Sequence, residues 1–278
     1  MTLPADPLGW FAETLRLTGV AHTGSEPEGS GEFVGRRLGL LNGSSWITPW
    51  ANYFGRRFVP GAHLVGVGNE AVQINFMSAH ERGEPTPPAS NIEAFVRYAR
   101  DLAEFAQVDA ILVTCSTMNR SYRAVADAMD RYAIPVVQID RPMMERAVRH
   151  GGKTLVIATH GPTVASTQAL LRETAAELAT PVAFAGLTVE DAWHRLARGD
   201  VRGHNDAIAE AIRRQRGEAD FDSVVLAQLS MSVFLLSFPE PEAVFGVPVF
   251  TSGQCGFERA AEVLRRAPPQ STRGMNHG

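Results

Sequence analysis

The sequence predicts an α/β protein of two similar lobes, each a parallel sheet flanked by helices. Three observations carry this reading. Short apolar runs alternate with helical patterns from about residue 36 to residue 267, as βα units and parallel sheets require. The pattern restarts near Lys153 after a first complete set. The 278 residues, 45% hydrophobic and 20% charged, can hold one large domain or two lobes of ordinary size.

Residues 1–34 read as an N-terminal extension. It holds a helix over Trp10–Leu17 and then HTGSEPEGSGE, whose Gly, Ser, Pro and Glu content suits a linker. The first lobe is expected over 35–150. A strand at Arg37–Leu41 ends in Asn42-Gly43-Ser44-Ser45, and a second runs from His63 to Gly68. After the Pro-rich loop ERGEPTPPAS, a helix spans about Ile92 to Ala106, with Phe95, Ala99, Leu102 and Phe105 at helical spacing. The strand Ala110–Thr114 runs straight into Cys115. A helix over Tyr122–Tyr132, a strand over Ile134–Ile139 and a helix to about Arg149 complete the lobe. The second lobe is expected over 151–267. Its strands are Lys153–Ala158, Val182–Leu187, Ser223–Ala227 and Val247–Phe250. Its helices are Thr163–Leu178, Val189–Arg198, Asn205–Arg216 and Gly256–Arg266. Residues 268–278 read as a disordered tail.

Composition narrows the function classes. A formal charge of −4 and only brief pairs of basic residues (Arg36-Arg37, Arg56-Arg57, Arg213-Arg214) point away from a nucleic-acid partner. No apolar run approaches the roughly 18 residues that span a bilayer. The N-terminus lacks a basic segment followed by an apolar core. No membrane partner is expected, and the location is expected to be cytoplasmic. Two cysteines, Cys115 and Cys255, are too few for a disulfide framework. No Cys/His cluster suggests a metal. Nothing matches a Walker loop or a GxGxxG turn, and Gly66-Val-Gly-Asn-Glu is too short a hint, so no phosphate cofactor is expected.

In parallel sheets ligands sit beyond the carboxyl ends of the strands. The segments there are Asn42-Gly-Ser-Ser, Thr114-Cys-Ser-Thr-Met-Asn, Thr159-His-Gly-Pro-Thr, Ala227-Gln-Leu-Ser and Thr251-Ser-Gly-Gln-Cys. They are small, hydroxylated and amide-bearing. Such groups, with the N–H groups of helix N-termini, suit a small anion such as a carboxylate. Cys115 lies between a buried strand and a helix start, a place that favours the reactive thiolate. A buried structural cysteine is the competing reading. His160 reads as a further acid or base, or equally as a turn histidine bonded locally. His194 and His204 fall in helices and read as surface residues.

Four of these stretches, VDAILVTCSTMN, KTLVIATHGPTVAS, LLNGSS and PVFTSGQCGFERAAEVL, occur in an order that resembles the aspartate/glutamate racemase superfamily. That group includes aspartate, glutamate and hydantoin racemases, maleate isomerase and arylmalonate decarboxylase. The resemblance implies an active site in the cleft between two lobes, working without a cofactor. It also implies one cysteine from each lobe, on opposite faces of the substrate, to remove and return a proton. The stretch matching the second cysteine motif is Val225-Leu226-Ala227-Gln228-Leu229-Ser230, so Gln228 stands where the cysteine is expected. An amide cannot serve as a proton-transfer base near neutral pH. Cys255 lies after the last strand, where the family places no catalytic group, and is expected to pack or to lie near a pocket rim. The expected function is therefore a cysteine-dependent isomerase or lyase for a small carboxylate, with one-sided chemistry at Cys115. Gln228 would polarise the substrate, and Asn42, Ser44, Ser116, Thr117, Thr163 and Ser230 would bind it. Trp46, Trp50, Tyr53 and Met118 would make room for a larger or aromatic substrate, or else pack as core beside the strands. A homo-oligomer is expected. Two alternatives stand beside this: a non-catalytic carboxylate-binding or regulatory protein, and a true amino-acid racemase with a non-standard second base.

Overall fold

A computed structural model describes residues 4–18 and 30–268. The expected linker and tail fall almost wholly outside the described residues. Helix α1 (Pro7–Thr18) precedes the first sheet and buries none of its residues.

In the first lobe, β1 (Arg37–Leu41) leads through a 3-10 turn at Ser45–Ile47 into α2 (Thr48–Phe58). Then follow β2 (His63–Val67), α3 (Glu70–Glu81), α4 (Ala89–Glu104) and β3 (Ala110–Val113). A second 3-10 stretch, Ser116–Ser121, precedes α5 (Tyr122–Met129), and β4 (Val136–Gln138) closes the sheet. All pairings are parallel, in the order β2-β1-β3-β4. Leu41, Ile111 and Val113 pack with Phe95, Leu102, Val125 and Met129 from the helices. Helices α2 and α3 are absent from the sequence reading. Pro49 in the first turn of α2 and Asn69, whose Oδ1 accepts from Ala71 N–H at the start of α3, are the start signals that mark them.

In the second lobe, α6 (Arg141–His150), β5 (Lys153–Ala158), α7 (Gly161–Glu177) and β6 (Ala183–Thr188) come first. Helices α8 (Glu190–Ala197) and α9 (Val201–Glu218) lead to β7 (Ser223–Leu226). Two short helices, α10 (Phe234–Ser237) and α11 (Pro241–Phe245), precede β8 (Val249–Thr251) and α12 (Ser252–Arg266). The parallel order is β6-β5-β7-β8. Alternation along the strands shows a sheet covered on both faces. Leu155, Ile157, Val224 and Leu226 enter one apolar cluster, whereas Val156, Ala158, Val225 and Ala227 enter the other.

The chain divides by its contacts into Met1–Ile139 with Gly256–Gly278, and Asp140–Cys255. The sheets separate as expected, but these limits differ from the expected 35–150 and 151–267. Helix α6 groups with the second sheet. The body of α12 groups with the first, because Phe257 packs beside Gly55 and Arg265 pairs with Glu32. Among the described residues no helix is long and apolar enough to cross a membrane.

Candidate active site

The carboxyl end of β3 places Cys115, and the neighbouring strand shapes the space around it. Leu41 pairs with Val113 across β1 and β3, so Gly43 and Cys115 each stand two residues beyond that pair. A Cβ on Gly43 would collide with Cys115 Sγ. Glycine is therefore what lets the backbone pass so close to the sulfur. Cys115 is buried, and its Sγ lies 3.1 Å from Thr117 Oγ1. Thr117 Oγ1 in turn lies 3.5 Å from Gln73 Oε1 on α3. The sequence reading missed Gln73 together with its helix.

The helix expected from Tyr122 starts there, so Cys115 does not itself stand at an α-helix start as the sequence suggested. The 3-10 turn intervenes, closed by Met118 N–H to the Cys115 carbonyl at 3.1 Å, and α5 starts only at Tyr122. Ser-Thr-Met-Asn-Arg-Ser pulls the chain into i→i+3 bonding, so no full α-helix terminus stands at the thiol. Asn42 is buried, and its Oδ1 accepts from Thr114 Oγ1 at 2.6 Å. A contact from Asn42 to a ligand would thus come from Nδ2. Ser44 is more than nine-tenths buried and makes no side-chain cap on the turn that follows. Ser116 Oγ is sealed from solvent with no hydrogen-bond partner among the described residues. Ser45 gives its N–H (2.9 Å) and its hydroxyl to Glu70 Oε1. The hydroxyl bond, with backbone N–H groups, holds the Glu70 carboxyl below the usual range. That carboxylate occupies the turn's N–H, which is then withheld from an anionic ligand.

The second lobe repeats the geometry with different residues. Ile157 pairs with Leu226 across β5 and β7, and Thr159 and Gln228 each stand two residues beyond. Thr159 N–H and Oγ1 both donate to Gln228 Oε1 at 2.8 Å. Thr163, in the first turn of α7, and Ser230, in the turn after Gln228, are more than nine-tenths buried. Neither hydroxyl has a hydrogen-bond partner among the described residues.

His160 is the residue before α7, and its ring meets that of Trp193 edge-on at 4.8 Å. Burial pushes its pKa below the ordinary histidine value, which favours the neutral ring. His194 is exposed, as expected, but His204 is 0% exposed. It faces the lobe interior because α9 packs against α8, where the ring nitrogen Nδ1 meets the Ala192 carbonyl at 2.8 Å. Cys255 sits in an apolar cluster with Met143, Met144 and Leu171. Met118 is also core, whereas Trp46 and Tyr53 reach the surface and the Trp46 and Trp50 rings meet edge-on at 5.3 Å. Among the described residues no group of acidic, His and Cys side chains could hold a metal.

Comparison with known proteins gives the same outline. The family model described as Asp/Glu/Hydantoin racemase matches residues 64–260. Solved structures of similar fold include an aspartate racemase homologue from Pyrococcus horikoshii OT3, at 16% identity and a TM-score of 0.57, covering 83% of this chain and 100% of that one. An allantoin racemase from Klebsiella pneumoniae matches at 16% identity and a TM-score of 0.57, covering 83% of this chain and 88% of that one. A glutamate racemase from Francisella tularensis, solved with D-glutamate, matches at 14% identity and a TM-score of 0.56, covering 83% and 81%. At such identities the likeness concerns the fold alone. No curated protein sequence matches the chain.

Proposed function

The chain belongs to the Asp/Glu/hydantoin racemase family, and from that premise we propose that it is a cofactor-independent isomerase or lyase of a small carboxylate. Cys115 carries the reaction, and Gln228 polarises the substrate. One observation supports this above the others: two topologically equivalent strand ends carry a thiol in one lobe and an amide in the other. A thiol can take or give a proton or attack carbon, whereas a carboxamide at neutral pH can only hydrogen-bond.

Two reaction forms suit one thiol. In the first, Cys115 adds to an electrophilic carbon, negative charge moves onto the substrate's carboxylate, and elimination of the sulfur after bond rotation returns an isomer. In the second, a leaving group departs, for example as carbon dioxide, and the resulting enediolate takes its proton from the Cys115 thiol. Both build negative charge on carboxylate oxygens, which fixed donors stabilise. Asn42 Nδ2, Thr117, Thr163 and Ser230 are the proposed binding groups. Ser44 and Ser116 stay in the proposal only as neighbours of the reacting region.

The test is an NMR screen of small carboxylates in D2O with wild type and Cys115→Ala. Turnover lost in a folded Cys115→Ala protein is the expected result, and unchanged turnover would reject Cys115. A second reading, a racemase with His160 as second base, draws on the neutral, half-buried ring. It predicts deuterium incorporation with inversion at Cα, lost in His160→Asn.

A further inference from the structure

The bond pattern at Gln228 determines which way its amide points. A backbone N–H can only donate, so the Gln228 atom 2.8 Å from Thr159 N–H must be the carbonyl oxygen. Turning the amide over would set N–H against N–H; the Thr159 hydroxyl could accept from the flipped amide, so the backbone bond is the one that decides. Nε2 is left facing the other way, with two N–H donors and no lone pair to accept a proton.

The equivalent place in the first lobe explains why a threonine is needed. Gly43 is bare beside the sulfur of Cys115, and any side chain there would strike it. Thr159 fills that same topological position, and its side chain clasps an amide oxygen. Glycine goes with the thiol and threonine with the amide, each residue suited to its neighbour. The hydroxyls of Thr163 and Ser230, buried and without a partner among the described residues, follow the same two strands.

Resting on the function proposed above, we infer that Thr159 is a positioning residue that holds Gln228 as a donor-only group. The second lobe thereby presents a subsite for an anionic oxygen, from a carboxylate or from the enediolate it becomes. Gln228 itself takes no part in proton transfer.

The experiment uses 15N-labelled protein with malonate as the probe, and the variants Gln228→Glu, Thr159→Val and Thr159→Ser. In wild type, malonate shifts both Nε2–H resonances of Gln228, and those protons show no strong nuclear Overhauser effect to Thr159 N–H. Gln228→Glu keeps the bonds to Thr159 but turns an outward donor into a charged acceptor, and malonate affinity falls by about tenfold or more. Thr159→Val keeps shape and backbone N–H but loses the hydroxyl, and weakens binding by roughly twofold to tenfold. Thr159→Ser restores it, which a merely steric role for the side chain would not require. A strong effect between Gln228 Nε2–H and Thr159 N–H overturns the orientation. Unmoved Gln228 resonances, or wild-type affinity in Gln228→Glu, overturn the subsite. If Gln228→Glu fails to fold, the wild-type spectra and the two Thr159 variants still decide. Failure of the Cys115 assignment would appear in turnover alone, and failure of this inference in malonate binding.

Discussion

At Gly43 one added methyl group is enough to probe Cys115, because the Cβ would fall on the sulfur. Gly43→Ala should therefore displace the thiol rather than unfold the lobe. A shift of about an ångström costs on the order of a hundredfold in rate, so kcat should drop by that much while the melting temperature stays near wild type. The same contact governs the converse experiment. Gln228→Cys alone sets a sulfur against the side chain of Thr159, whereas the pair Thr159→Gly with Gln228→Cys reproduces the first-lobe arrangement. Mass spectrometry after alkylation of the native protein should find the new thiol labelled faster in the double variant than in the single one. Cys115 and Gln228 are legible in the sequence because each directly follows an apolar run. Their partners are not. Gly43, Thr159 and Gln73 matter through strand register and helix packing, which link residues 44 to 72 positions apart.

The strands are the most legible elements, because both faces of a parallel sheet are buried and each strand is then a continuous apolar run. Lys153–Ala158 coincides with its sequence assignment for that reason. Helix α3 is illegible by the same logic: Val72 and Ala79 are buried, but Ile74 is 65% exposed and Met77 is exposed too, so the apolar residues mark no single face. Its start is set by the Asn69 side chain. Asn69→Ala should cost about 1 kcal/mol of stability in urea unfolding. It should also loosen the first turn, which carries Gln73 toward Thr117, so a fall in activity beyond the loss of folded protein would tie α3 to the thiol. The misplacement of His204 has a similar cause: position on a polar-looking helix suggests surface, but the contact of α9 with α8 decides otherwise.

For the whole molecule, His160 and His204 set a direction for stability against pH. Burial lowers both pKa values from 6.5. The unfolded chain takes up protons near 6.5 while the native protein keeps both rings neutral, so protonation favours unfolding. Stability contributed by these neutral rings is fully present above pH 6.5 and declines as pH falls toward the lowered folded values. Urea midpoints should fall between pH 7.5 and pH 5.5, and His204→Asn should flatten the decline; an unchanged slope would remove His204 from the account. Chain topology adds an order of events. The second lobe is one continuous stretch, Asp140–Cys255, whereas the first closes with chain that returns at Gly256. During synthesis the ribosome delivers the whole second lobe before Phe257 exists to fill its place beside Gly55. The first lobe, begun earlier, must wait with apolar surface unprotected, and that interval is when a nascent chain is most open to aggregation and to chaperones.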